Sequence, residues 1–352
     1  MTMLNPSQDR IASSFAGISL NAWRFLVIAA VAALVLIGLP FLLSGFQTSV
    51  LAKVIFWSIA ALGLNILVGY NGQFSLGHSA FFAIGAYTMA ILLSKTGIPY
   101  WAIVPMAGAL CLVAGFLFGL PALRLEGHYL ALATFALAVA TPQLLKVDAF
   151  ESWTGGVQGI NDLDQPAAPF GLAFLTPDRW AYFFCLLWAV PLFAIAWNLL
   201  RGRTGRAIVA IRDNPIAAAS MGINVSIYKS LTFGVSAMYT GIAGALSVVV
   251  TPFVSPDTFD FLISVSLLVA IVVGGVATLP GAILGAFFIQ YVPTYADRIS
   301  HAIPWAVYGV AIIAVVYFMP GGMVGFLRWF WLSVRRRLMP TRLVSTGRPG
   351  TG

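Results

Sequence analysis

The segment from Arg201 to Lys229, RGRTGRAIVAIRDNPIAAASMGINVSIYK, is the longest clearly polar and basic stretch in this chain, and it limits how everything around it can be arranged. It carries Arg201, Arg203, Arg206, Arg212 and Lys229 against one acid, Asp213. The sequence on either side turns apolar, and positive charge flanking apolar spans stays on the cytoplasmic face of a membrane. Only 9% of the residues are charged and 60% are hydrophobic, whereas soluble domains are about 25% charged. Most of the surface must therefore face lipid. The fold class that follows is all-α, a polytopic transmembrane helical bundle forming a single domain over residues 1–352.

About ten runs approach the ~20 residues that span a bilayer. They lie near 24–44, 51–70, 75–94, 100–122, 129–147, 180–200, 230–251, 261–276, 279–296 and 303–320. The polar segments test that count. With 201–229 inside, the segment 148–179 falls outside, and it holds Asp148, Glu151, Asp162, Asp164 and Asp178 with one arginine. Four further spans return the C-terminal segment 328–352 to the inside. It carries Arg328, Arg335, Arg336, Arg337, Arg342 and Arg348. Six spans before the loop place residues 1–23, with Arg10, inside as well, so both termini are expected in the cytoplasm. The run Phe25–Leu43 exceeds the roughly 7–15 apolar residues of a cleavable signal and reads as a retained span. The tail after Leu338, with Pro340, Gly347, Pro349 and Gly350, reads as unstructured. The net charge of +8 does not indicate nucleic acid, because the basic residues sit in short membrane-flanking segments.

Inside the basic loop a short helix is written with both ends. Asp213 or Asn214 can cap it, and Pro215 suits the first helical position. Residues 216–221 can form about two turns, and Gly222 suits the left-handed residue that ends a helix. A small, Ala-faced helix between two spans is shaped to sit in a groove of another protein.

The second informative stretch is GYNGQFSLGHSAFFAIGAY, Gly69 to Tyr87. Gly69, Gly72 and Gly77 interrupt it around Asn71, Gln73, Ser75, His78 and Ser79. Polar side chains and freed backbone cannot face lipid, so they face protein or a water-filled cavity. Two readings stand at this point. One is a helix interruption on a solute path, with Asn71, Gln73, Ser75 and His78 near solute and Tyr129 and Thr134 of GHYLALATFA added to it. The other is a capped cytoplasmic turn, with Ser75 starting the next span and the glycines serving close helix packing. Arg124 and Glu126 read as an anchor at a span end, and Tyr129 as an interfacial aromatic. Gly241, Gly244 and Ala245, and then Gly274, Gly275, Gly281, Gly285 and Ala286, read as packing surfaces, with a tight turn at 277–280.

Several chemistries are missing from the sequence. It has no G-x-x-x-x-G-K-[ST] phosphate loop, no H-E-x-x-H and no cysteine cluster; Cys111 and Cys185 sit in apolar runs. No catalytic, metal or cofactor site is expected. Ionisable residues within spans are nearly absent, and Lys53, Lys95 and Lys146 are expected at span ends. An ion-coupled carrier or channel, or an intramembrane enzyme using His78, His128 or His301, finds little support in such a pattern.

The chain resembles the inner-membrane permeases of branched-chain amino acid ABC importers, the larger of the two permease types. NILVGYNGQFSLGHSAFFAIGAYTMA is close to a hallmark of that family. It is followed in order by RLEGHYLALATFALA, TGGVQGI, GRAIVAIRDNPIAAASMGINVSIYKSLTFGVSAMYTGIAGAL and VVGGVATLPGAILGAFF. The resemblance implies a non-catalytic permease subunit in a bacterial inner membrane. It would work with a second homologous permease, two ABC ATPase subunits and an external solute-binding protein, by alternating access, with no cofactor and no nucleic acid. It also makes Pro215 to Gly222 the coupling helix. The implied ATPase-coupling residues are Arg206, Arg212, Asp213, Pro215, Ala217, Ala218 and Gly222. Many ABC permeases open this motif with an acid followed by two alanines; here the core reads AAASMG, and Asp213 is the nearest acid. Relatives that import urea or short amides share the architecture, so the resemblance leaves the solute open.

Overall fold

Helices make up almost everything described in the computed structural model, which covers residues 34–122, 125, 127–161, 163, 168, 175–299 and 304–338. The first ten residues of the expected first span, 24–33, lie outside the described residues, as do Arg10, Arg124, Glu126, His301 and the tail beyond Leu338. Helix α1 is described over residues 34–42. It is followed by α2 (Gly45–Asn65), continued by a π-helical turn Ile66–Tyr70, and by α3 (His78–Thr96), α4 (Tyr100–Ala122) and α5 (His128–Leu145). Then come α6 (Asp148–Thr154), α7 (Pro177–Arg201), α8 (Arg203–Asp213), α9 (Pro215–Ser220) and α10 (Val225–Val250). A 3-10 turn Pro256–Phe259 leads to α11 (Phe261–Gly274), α12 (Leu279–Ile299), α13 (Pro304–Phe318) and α14 (Gly322–Leu338).

Among the described residues six helical segments are long and apolar enough to cross a bilayer: Gly45–Tyr70, His78–Thr96, Tyr100–Pro121, His128–Leu145, Pro177–Arg201 and Val225–Val250. A seventh is possible if α13 and the start of α14, bent by 45°, form one broken span. Helix α11 has 14 residues, which rise only about 21 Å against a hydrocarbon thickness of about 30 Å.

Helices α2 and α10 form the centre. Both are buried along most of their length, and α10 packs along α2, α3 and α4. The approach of α3 to α10 is backbone to backbone. A Cβ at Gly85 would lie 1.9 Å from the Gly241 carbonyl oxygen, and one at Gly244 would lie 2.1 Å from that of Phe82. The small residues of α10 are therefore packing residues. The outer helices leave apolar side chains exposed, among them Leu110, Val113 and Leu117 on α4 and Leu187 and Val190 on α7. Cys111 and Cys185 are buried and unpaired.

The two ends of the bundle differ in charge. One gathers the start of α2, α6 and the 251–260 connection. There Ser49 donates to Asp178 at 2.6 Å, Lys146 pairs with Asp257 at 2.5 Å, and Lys95 donates to the Ser152 carbonyl. The TGGVQGI stretch is tied down there by an antiparallel bridge between Ile160 and Val254. The other end gathers the π turn, α8, α9 and the 275–278 turn, and carries Arg201, Arg203, Arg206, Arg212 and Lys229.

Two local expectations change, and two helices were not anticipated. Helix α3 starts at His78, not near Ser75, because Gly72 at φ +73° and the residues after it are not helical. Helix α2 starts at Gly45, where Ser44 and Gln47 form a capping box; Lys53 therefore lies about two turns inside the helix and not at its end. The outer segment begins with a helix, α6. The basic C-terminal segment is helical from Gly322 to Leu338, with exposed Trp329, Phe330 and Trp331.

Candidate functional site

The basic loop is built from two helices set at an angle. Helix α8 is amphipathic, burying Gly205, Ala207, Ile208 and Ile211 against the bundle. Asn214 then turns extended (φ −157°, ψ 102°), and its side-chain oxygen accepts from the N–H groups of Ile216 (3.1 Å) and Ala217 (3.0 Å). Of the two expected caps it is Asn214 that serves, with Pro215 at the first helical position. Gly222 takes φ +82° with no atom near its Cβ position, so conformation alone selects glycine there.

Helix α9 stands out from the bundle on this support. Ala218 is buried beneath it, while Ile216 and Met221 are 82% and 84% exposed. Pro215, Ala217 and Gly222 are exposed on the same short element. Sequence reasoning picked the alanines and overlooked the two large apolar side chains. Their signal was available: they are the bulky hydrophobes that flank the alanines between the Asn214 cap and Gly222. Arg206 is exposed, and its guanidinium donates to the Arg201 carbonyl at 3.3 Å. Arg212 behaves differently. Its Nε and Nη2 donate to one oxygen of Asp213 (3.0 and 2.9 Å), and its Nη1 reaches inward to the Gly69 carbonyl (2.9 Å).

Gly69 belongs to the helix break. A π turn shifts the hydrogen-bond ladder by one residue, and the chain then runs non-helically from Asn71 to Gly77. This segment re-enters the bundle. The Leu76 N–H donates to Thr134 on α5 (2.9 Å), and His78 at its end reaches Ser236 on α10. Ser236 lies roughly 16 Å along α10 from its first residue. Irregular backbone at that depth must be enclosed by protein, and its neighbours supply the partners: the Ser79 N–H donates to Ser264 at 2.8 Å.

The state of His78 follows from its partners. The Ser236 hydroxyl donates to the Gly63 carbonyl (2.6 Å), so toward His78 Nε2 (2.7 Å) it can only accept. Nε2 therefore carries the proton and Nδ1 accepts from the Ser75 hydroxyl (3.0 Å), which itself accepts from the Gly77 N–H (3.3 Å). The ring is neutral, fully buried and committed at both nitrogens. Replacing Ser236 with Ala strands the His78 Nε2–H, while the Gly63 carbonyl keeps the Ile66 N–H. It should cost about 1–2 kcal/mol and lower the unfolding midpoint of the detergent-solubilised protein by a few degrees. An unshifted midpoint would show that the network contributes nothing to stability.

The proposed path residues thus separate. Ser75, His78 and Thr134 join this buried network. Asn71 and Gln73 line a cavity of about 220 Å³ at the basic end, together with Phe74, Leu130, Arg212 and Lys229. Among the described residues the buried Asn71 amide has no hydrogen-bond partner on either atom. Tyr129 stands apart, 70% exposed on the outer face of α5. A further residue, Asn65, was not singled out from sequence. It donates to the Thr278 carbonyl (2.8 Å) and accepts from the Ala277 N–H (2.9 Å), clasping the α11–α12 turn. A lone amide in an apolar run was the available signal.

Fold and charge define an α-helical membrane protein with a basic end that displays a short capped helix. Among the described residues no group of His, Cys, Asp or Glu could hold a metal ion. The profile of the family described as "Branched-chain amino acid transport system / permease component" matches residues 46–320, and the chain belongs to that family. It is 34% identical over 269 residues to the high-affinity branched-chain amino acid transport system permease protein LivM of Salmonella typhimurium, covering 70% of this chain and 63% of that one. Identity to LivM of Escherichia coli (strain K12) is 34% over 281 residues, or 74% and 66% of the two chains. The match thus spans just under two thirds of these relatives. An autoinducer 2 import system permease protein, LsrC of an Enterobacter species, is 32% identical over 151 residues, 40% of this chain and 42% of that one. No solved structure matches significantly.

Proposed function

We propose that this chain is the translocation subunit of an ATP-driven importer for branched-chain amino acids in a bacterial inner membrane. Helix α9 docks in a groove of a separate ATPase subunit. The observation that carries this reading is the presentation of Ile216 and Met221, both more than four-fifths exposed, on a capped helix at the basic end. Large exposed apolar side chains on a rigid, water-facing support are what a partner's groove would bury. The charge difference between the ends supports a cytoplasmic location for α9 and for both termini, with about ten crossings in all. A second homologous permease completes the pathway, two ATPases sit beneath the pair, and an external binding protein delivers solute to the end that carries α6. The permease itself performs no chemistry. ATP-driven movement of the ATPases is passed through α9 and rocks the helices between outward and inward states. The solute assignment is supported by the LivM relatives. The LsrC relative, named for a different solute, marks the same architecture as open to other cargo.

Purification of the tagged chain from its host in mild detergent, with mass spectrometry of what accompanies it, tests the assembly. A second permease and an ATPase should come with it. A lone homo-oligomer that moves solute without ATP would overturn the reading. Uptake of radiolabelled leucine, isoleucine and valine, in competition with urea and short amides, tests the cargo.

A further inference from the structure

We propose that Arg212 is a positioning residue that carries movement of the α8–α9 loop to the helix break at Gly69–Gly77. The inference rests on the docking role given above to α9, and it reassigns Arg212 from contact with the ATPase to a link within the chain. Its guanidinium is held in place by Asp213, next to the Asn214 cap of α9, through two donors on one carboxylate oxygen. The remaining fork reaches the Gly69 carbonyl at 2.9 Å, across 143 positions of sequence. Gly69 lies in the π turn, where the ladder is already shifted, so its carbonyl is available to a side chain. The joint is fitted on the far side too. Gly72 sits at φ +73°, and a Cβ there would lie 2.9 Å from Arg212 Cγ.

The same end of α2 grips a second element. Asn65, one turn before Gly69, holds both the Ala277 N–H and the Thr278 carbonyl of the α11–α12 turn. A Cβ at Gly69 would collide with Asn65 Oδ1 and the Ala277 nitrogen. Displacement of α8 therefore reaches the re-entering segment directly and the α11–α12 turn through Asn65. Asn71, at the first position of the segment, has no bond to either amide atom among the described residues, so moving it breaks none there. Helix α8 is suited to transmit rather than absorb motion, because its inner face is packed on Ala207, Ile208 and Ile211.

Lysine at 212 keeps the charge but cannot hold Asp213 and Gly69 together through a planar fork. Arg212→Lys and Gly72→Ala are to be compared with wild type and with Arg203→Ala, an exposed residue at the start of α8, as purified complexes with the ATPases. The first readout is hydrogen exchange over residues 69–77 and over α9, with and without ATP. Both regions should respond in wild type and Arg203→Ala. In Arg212→Lys and Gly72→Ala the response of α9 should persist while that of 69–77 is lost. The second is [14C]leucine uptake per ATP hydrolysed in proteoliposomes, which should fall at least fivefold in the two variants with hydrolysis retained. An ATP response at 69–77 that survives in Arg212→Lys, an unchanged uptake ratio, or failure of both variants to assemble would overturn the proposal. Absence of any ATP response at α9 in wild type would instead overturn the docking role.

Discussion

Replacing Ile216 with Asp should abolish retention of the ATPase during purification and lower ATP-driven uptake at least ~30-fold, while leaving the permease as stable as before. The loss comes from the partner's side of the contact. Ile216 is 82% exposed, and nothing in this chain depends on its side chain; surface changes of that kind usually alter stability by less than about 0.5 kcal/mol. In a groove, the residue would be a desolvated anchor, and losing such an anchor commonly costs about 2–4 kcal/mol, or roughly 30- to 1,000-fold in affinity. The aspartate adds an unpaired charge to an apolar site. Asn214 would still cap α9, since it uses the backbone N–H of position 216 and not its side chain. Met221→Asp should act similarly, and Ala218→Asp differently. Ala218 is buried against its own chain, so a carboxylate there should lower the unfolding midpoint first. Wild-type uptake by Ile216→Asp would show that α9 is not the contact.

The parts of this molecule legible in sequence were those written in local chemistry. Asn214, Pro215 and Gly222 each act through their own neighbours, and the structure puts them in a cap, a first turn and a left-handed exit. The charge difference between the ends was likewise readable, because Arg201 to Lys229 and the acids around 148–178 are contiguous. Less legible was what the polar residues of Gly69 to Tyr87 face. Whether His78 meets solute or a serine depends on Ser236, which is 158 positions away in sequence and chemically unremarkable. Arg212 was readable as a loop cation but not as the partner of a carbonyl in α2, because a π turn leaves no composition signature. The break is also neither of the two alternatives entire. Asn71 and Gln73 sit at the basic end, as the capped-turn reading requires, yet the backbone after them dips into the bundle, as the interruption reading requires.

Gly85→Leu should have the largest effect on folding. Gly85 faces the Gly241 backbone so closely that even a methyl group would sit 1.9 Å from the carbonyl oxygen. Gly241 is itself pressed from the other side, where its own Cβ would lie 2.3 Å from Cys111 Sγ. Relief by rotamer change is impossible because the obstacle is main chain, and α10 cannot retreat without pushing into α4. Overpacking that does relax typically costs about 1–3 kcal/mol. Here three helices would have to separate, so the loss should reach or exceed the top of that range, and the variant should leave detergent extraction as aggregate. Gly309→Ala in α13, where nothing lies within 4 Å of the added methyl, is the matched change. It should be neutral or slightly stabilising, because alanine loses less backbone entropy in a helix. Monodispersity on size-exclusion chromatography after a heating series separates the two. If Gly85→Leu stays monodisperse to the wild-type temperature, the contact between α3 and α10 is looser than backbone to backbone. The hydrogen bond from His78 to Ser236, which crosses the same helix pair, would then not be held at its present length by packing, and the break at Gly69–Gly77 would lose the rigid wall against which Arg212 is argued to move it.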